Sequence, residues 1–179
     1  MDPKRHPAGE SIAYLRQGAQ LVRALDDERF TSVPGGRFRG GVGSQFRHCI
    51  DFYECFLRGL EEGRIDYTAR RREAGLEHDR EAAAARLDDL AERLAALRLD
   101  PVSRVLQVRA EDPVPGTSEW CGSTLHRELQ FLLSHTVHHY ALIVALLASL
   151  GYELDAGLAE FGVAPSTLAH WKEAGPLAG

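Results

Sequence analysis

Apolar residues recur at helical spacing in four long stretches, separated by polar or glycine-rich breaks. The first stretch runs roughly over 11–29, with Ile12, Leu15, Ala19, Val22 and Leu25 along one stripe. In the second, about 45–62, Arg47, Asp51, Glu54 and Arg58 form one polar stripe. Phe46, Cys49, Ile50, Phe52, Tyr53, Phe56, Leu57 and Leu60 cover most of the remaining surface, which is the pattern of a largely buried helix. The third, about 76–97, is rich in the strong helix formers Ala, Leu, Glu and Arg. Leu87, Leu90, Leu94 and Leu97 form its seam, and Pro101 ends it. The fourth runs over about 124–150 and stops at Gly151. A short terminal helix over 164–173 carries Pro165 in its first turn.

Between the third and fourth stretches, 102–110 and 118–121 read as two strands of a short β-hairpin about a proline-glycine turn at 111–117. The segment 33-VPGGRFRGGVGS-44 lacks both the Gly-Lys-Ser/Thr ending of a phosphate loop and the strand before it. It reads as a plain connection, with Ser44 capping the second helix. Four long helices with mostly short links predict an all-α fold, a four-helix bundle. With no repeat or low-complexity linker, one domain is expected over 1–179, with its core at about 10–173.

Composition narrows the class. The 179 residues are 44% apolar and 26% charged, the balance of a soluble globular protein. A formal net charge of −5 argues against nucleic acid as a partner held by bulk positive charge. The start, MDPKRHPAGE, lacks the apolar region of a secretory signal, and the apolar run 140–150 is too short to span a bilayer, so no membrane partner is expected. The three cysteines, Cys49, Cys55 and Cys121, form no Cys-x-x-Cys pair. Cys49 and Cys55 lie roughly 9 Å apart along one helix, too far for a disulfide there. An odd count without a signal peptide points to reduced thiols in the cytoplasm.

The chemistry concentrates in 134-SHTVHHYALI-143. On a wheel of about 100° per residue with His139 at zero, Leu132, Ile143 and Leu146 fall within roughly 40° and His135 at about −40°. His138 falls at about −100°, off the seam. His135 and His139 therefore form an inward pair one turn apart, able to share a metal ion. Neutral core histidines bonded to carbonyls or acids account for the pair equally well. His48, on the second helix, would complete a three-nitrogen site. A zinc-protease motif is absent, because Thr136, Val137 and His138 fill the space where a glutamate base would stand. Di-iron bundles need Glu-x-x-His, and no histidine here has a glutamate three residues before it.

These residues resemble the DinB-like (DinB/YfiT) superfamily of bacterial metal-binding four-helix bundles. The resemblance rests on 44-SQFRHCIDFYECFLRGL-60, on 124-TLHRELQFLLSHTVHHYALI-143 and on 63-GRIDYTARRR-72, and spans roughly residues 10–173. It implies a divalent metal ion (zinc, nickel or iron) on His48, His135 and His139. It also implies a small-molecule substrate. Some relatives are thiol transferases or isomerases that use mycothiol, bacillithiol or glutathione as a low-molecular-weight thiol cosubstrate. Related bundles often pair, so a homodimer is an expectation of the same kind.

Further candidates flank this set. Arg70, Arg71 and Arg72 offer guanidinium groups to an anionic substrate, with Arg70 and Arg72 as the motif's arginines; a solvated turn paired with Glu73, Glu77 and Asp79 is the plainer account. Glu128 lies on the face of His135 but about 16 Å along the axis from His139, and is expected to serve the helix N-terminus. Gln45 and Ser44 sit within a turn of His48 and would line a site mouth or act as caps. Tyr53 and Tyr140 are expected to be partly buried aromatics. The expected function is a metal-dependent enzyme, either a thiol transferase or a hydrolase. The rival is a non-catalytic metal-binding or stress-response bundle, its ion structural or its site vestigial.

Overall fold

A computed structural model describes residues 6–35, 39–99, 102–110 and 117–174. Four long helices carry the fold: α1 (Gly9–Ala24), α3 (Val42–Leu60), α4 (Arg80–Ala96) and α5 (Leu125–Ser149). A short α2 (Asp27–Thr31) follows α1, and α6 (Pro165–Ala174) closes the described chain. The packing runs in a ring: α1 lies on α4, α4 on α3, α3 on α5, and α5 back on α1. Leu15, Leu21, Phe46, Ile50, Phe56, Leu87, Leu90, Leu132 and Ile143 fill the centre and are fully buried. The expected helical bundle is therefore present.

Local chemistry places the boundaries. The predicted first helix splits at Leu25, which is extended (ψ 154°). The carboxylate of Asp26 accepts the Arg29 N–H at 2.8 Å and starts α2 as its N-cap, so the helical stripe breaks where a better cap intervenes. Ser44 is not the cap of α3. Gly41 holds that position, and Ser44 sits inside the first turn with its hydroxyl donating to the Gly41 carbonyl at 2.8 Å. Asp79 caps α4 by accepting the Ala82 N–H at 2.9 Å, and Thr124 caps α5 by accepting the Arg127 N–H at 3.3 Å. Gly151, at φ +74°, ends α5 as expected.

The hairpin is present but belongs to a three-stranded sheet in the order β1-β2-β3, with β1 (Arg64–Asp66), β2 (Val105–Arg109) and β3 (Cys121–Thr124). β2 and β3 are antiparallel with Val105 opposite Thr124, while β1 runs parallel to β2 with Ile65 opposite Val108. β3 starts three residues later than the sequence pattern suggested. The turn at 111–116 and Pro101 lie outside the described residues. Two glycines make close approach possible. A side chain at Gly59 would meet the Arg64 carbonyl at 2.2 Å, and one at Gly18 would meet the Tyr140 hydroxyl at 2.0 Å.

The apolar run 140–150 is the C-terminal half of α5, a 25-residue helix long and apolar enough to cross a membrane by length and composition. It instead packs one face against α3 and α1, where a core helix of a bundle stands.

Candidate metal centre

α3 and α5 bring three histidines together. The rings of His48 and His135 lie 5.0 Å apart, those of His48 and His139 4.4 Å, and those of His135 and His139 4.5 Å. One nitrogen from each falls within 4.8 Å of the other two. All three are half-buried, and His138 is exposed, its ring 5.2 Å from that of His139. His138 lies off the buried face, as the wheel places it, but the seam itself is displaced. Thr136 and Tyr140, at 1% and 0% exposure, hold the centre of the buried face, and His135 and His139 stand on its border. That border faces α3, so the imidazoles can be lined up without being sealed in the core.

Gln45 aims one of these rings. Its Oε1 lies 2.7 Å from His139 Nδ1, so a proton on Nδ1 leaves the Nε2 lone pair for a ligand. Gln45→Leu should lower divalent-ion affinity by about 10–100-fold, as loss of an outer partner does. Titration against a chromophoric chelator would show it. His135 Nε2 is buried and has no hydrogen-bond partner. An uncompensated buried nitrogen is costly unless something fills its lone pair. Three imidazole nitrogens, one of them orphaned in this way, are a donor set that fits a divalent metal ion.

The site disfavours protons. Burial first, then His48, His138 and Arg70, push His135 down to about 4. His139 is also pushed to about 4, by burial and then by His135 and His138. An unfolded histidine titrates near 6.5. Between about 6.5 and 4 the unfolded metal-free chain therefore binds more protons than the folded one, and stability falls as pH falls through that window. Urea midpoints of chelator-treated protein should drop more steeply between those pH values for wild type than for a His135→Gln/His139→Gln double variant.

An aromatic wall surrounds the histidines. Phe52 packs on His48 at 5.0 Å and on His135 at 4.2 Å, and Phe131 lies 5.5 Å from His135. Tyr67 backs both phenylalanines, at 5.2 Å and 5.3 Å. Sequence reasoning missed this wall. The signal was available, because Phe52 stands one turn after His48 and Phe131 one turn before His135.

The segment 63-GRIDYTARRR-72 spreads its side chains in different directions. Gly63, at φ +70°, turns the chain into β1. Asp66 pairs with Arg109, and this bond with those from Thr68 outweighs burial and lowers Asp66 to about 2. The guanidinium of Arg70 lies over the Phe52 ring at 4.9 Å and so stands beside the histidines. Arg71 turns to a cavity between α3 and α4 that Arg58, Arg86 and Arg93 also line. Arg72, at φ 51°, gives its N–H to Asp51 Oδ1 at 3.2 Å, and its side chain is exposed. The three arginines are thus not one cluster. Of the acids expected to pair with them, Glu77 bonds Arg47 at 2.6 Å, and Glu73 meets Arg86 at 3.4 Å.

The other candidates sort by burial. Tyr53 and Tyr140 are fully buried; the Thr136 hydroxyl donates to Tyr53 at 3.1 Å, and the Tyr140 hydroxyl donates to the Tyr14 carbonyl at 2.9 Å. Glu128 is more than an N-terminal acid. It is 4% exposed and accepts the hydroxyls of Ser123 at 2.6 Å and Tyr67 at 3.0 Å.

A helical bundle with a histidine triad between its second and last long helices defines the class to which the chain is assigned. The sequence model of the DinB superfamily matches residues 16–143, a span that contains all three histidines, and the chain belongs to that superfamily. α6 lies beyond the matched span. The chain is also similar to FK506-binding protein 5 of Rhizopus delemar (strain RA 99-880 / ATCC MYA-4621 / FGSC 9543 / NRRL 43880), 32% identical over 113 residues. That match covers 61% of this chain and 28% of the relative, so the chain spans little more than a quarter of that protein's length. No solved structure matches the chain.

Proposed function

We propose that His48, His135 and His139 hold a divalent metal ion and that the protein is a metal-dependent enzyme, either a thiol transferase or a hydrolase. The orphaned Nε2 of His135 carries this reading, because an imidazole with an unfilled buried lone pair is poised to ligate. Among the described residues the cluster offers three protein ligands and no fourth, the ligand count of a site with an open position and not of a closed structural one. The ion would be zinc, nickel or iron, and it would lower the pKa of a bound water or thiol to give a nucleophile near neutral pH.

The chain's own groups supply the rest. Gln45 fixes the His139 ring, and Phe52 and Phe131 exclude water from the His135 side. Arg70, at the Phe52 face, would receive an anionic end of a small-molecule substrate or of a low-molecular-weight thiol. Arg72, exposed two residues on, would add a second positive charge. Cys49 and Cys55, both buried, and the exposed Cys121 are unbridged, in keeping with a cytoplasmic setting. A homodimer belongs to the same proposal.

The test is turnover by metal-loaded protein with a panel of low-molecular-weight thiols and electrophiles, and with activated esters. Metal-dependent turnover that His139→Ala abolishes is expected. Stoichiometric metal with no turnover on any of these pairs would leave the site a structural one.

A further inference from the structure

A second cavity, of about 480 Å³, opens beside the sheet. Val108 of β2, Cys121 and Ser123 of β3, Arg127 and Glu128 of the first turn of α5, and Glu119 line it. Its volume suits a small molecule. The charges along its wall are unusual. Glu128 is buried, and among the described residues its carboxylate is held by two hydroxyls, those of Ser123 and Tyr67. Burial, and then the Glu128 charge itself, push the Tyr67 phenol far up, so that partner stays neutral. A buried carboxylate bonded only to neutral donors lacks a cation.

Arg127 lacks the opposite. Its side chain is exposed, its guanidinium lies over the Phe131 ring at 5.6 Å, and it makes no ion pair among the described residues. It does not pair with Glu128, because adjacent residues on a helix do not face each other. A guanidinium stacked on a ring keeps its N–H edge for a planar anion. Among the described residues, one cavity therefore presents a carboxylate without a cation and a guanidinium without an anion.

We infer that this cavity binds a small amino-carboxylate, with its ammonium on Glu128 and its carboxylate on Arg127. A simple anion is a poorer fit, because Glu119 and Glu128 both oppose it. A simple amine leaves Arg127 unpaired. None of His48, His135 and His139 lines this cavity. The inference does not depend on a metal ion.

Cys121 is a built-in reporter. It is exposed and lines the cavity, whereas Cys49 and Cys55 are buried. Alkylation of Cys121 by iodoacetamide, followed by mass spectrometry on the full chain, would be timed with glycine, β-alanine or γ-aminobutyrate present, and with butylamine and butyrate as one-ended controls. At least one amino-carboxylate should protect Cys121 at a concentration about tenfold below either control, the gain of one added charged contact. Arg127→Ala, an exposed change that leaves the core intact, should reduce that protection to the level of butylamine. Glu128→Gln should reduce it to the level of butyrate. Equal protection by one-ended and two-ended probes, or full protection in Arg127→Ala, would overturn the inference.

Discussion

Replacing His135 with alanine should cost the protein its divalent metal, while replacing His138 should cost almost nothing. The two residues are three apart on one helix and alike in chemistry, so the contrast isolates direction. His135 faces His48 at 5.0 Å and carries the unpartnered Nε2; His138 is exposed and stands outside the three-histidine cluster. Loss of one ligand of three should lower affinity by more than the roughly 10–100-fold that loss of an outer partner costs. His48→Ala and His139→Ala should fall with His135→Ala. Competition titration with zinc would rank all four, and equal losses in His135→Ala and His138→Ala would show that the triad does not hold the metal.

Asp51→Ala should be among the most destabilising single changes. Asp51 is 2% exposed, and its carboxylate accepts from the Arg47 guanidinium at 2.7 Å and from the Arg72 N–H at 3.2 Å. Breaking a buried pair costs about 3–5 kcal/mol because the remaining charge is stranded. Here Glu77 still holds Arg47 at 2.6 Å, so the lower end, about 3 kcal/mol, is expected. That corresponds to a fall in melting temperature of roughly 6–12 °C for a chain of this size. The change also releases the Arg72 backbone from its left-handed conformation, and with it the segment that carries Arg70. Glu77→Gln, at a more exposed partner, should cost about 1 kcal/mol. Thermal melts of both variants would separate these values, and equal costs would contradict the burial-based ranking.

Much of this was legible in the sequence, for identifiable reasons. Helical periodicity located the four long helices, because each buries a stripe that must repeat along its length. The His135–His139 pair and the outlying His138 followed from the same geometry. What escaped was set by contacts between distant residues. β1 is three residues long and finds its parallel partner some forty positions away, so no local alternation could reveal it. The break at Leu25 needed the competing cap at Asp26 to be weighed against an unbroken apolar stripe. Glu128 looked like a helix-end acid because Tyr67, its partner, is remote in sequence. The seam was misplaced on α5 because α1 and α3 both pack on that helix and shift its buried face toward Thr136 and Tyr140, which a single-helix wheel does not contain.

The most direct test is a crystal structure of untagged, zinc-loaded protein with data collected at the metal edge. One anomalous peak should appear between α3 and α5, about 2.0–2.1 Å from a nitrogen of each of His48, His135 and His139, with an outer position held by solvent. A peak elsewhere, or none at these three rings in protein that carries stoichiometric zinc, would contradict the assignment of the triad as the metal centre.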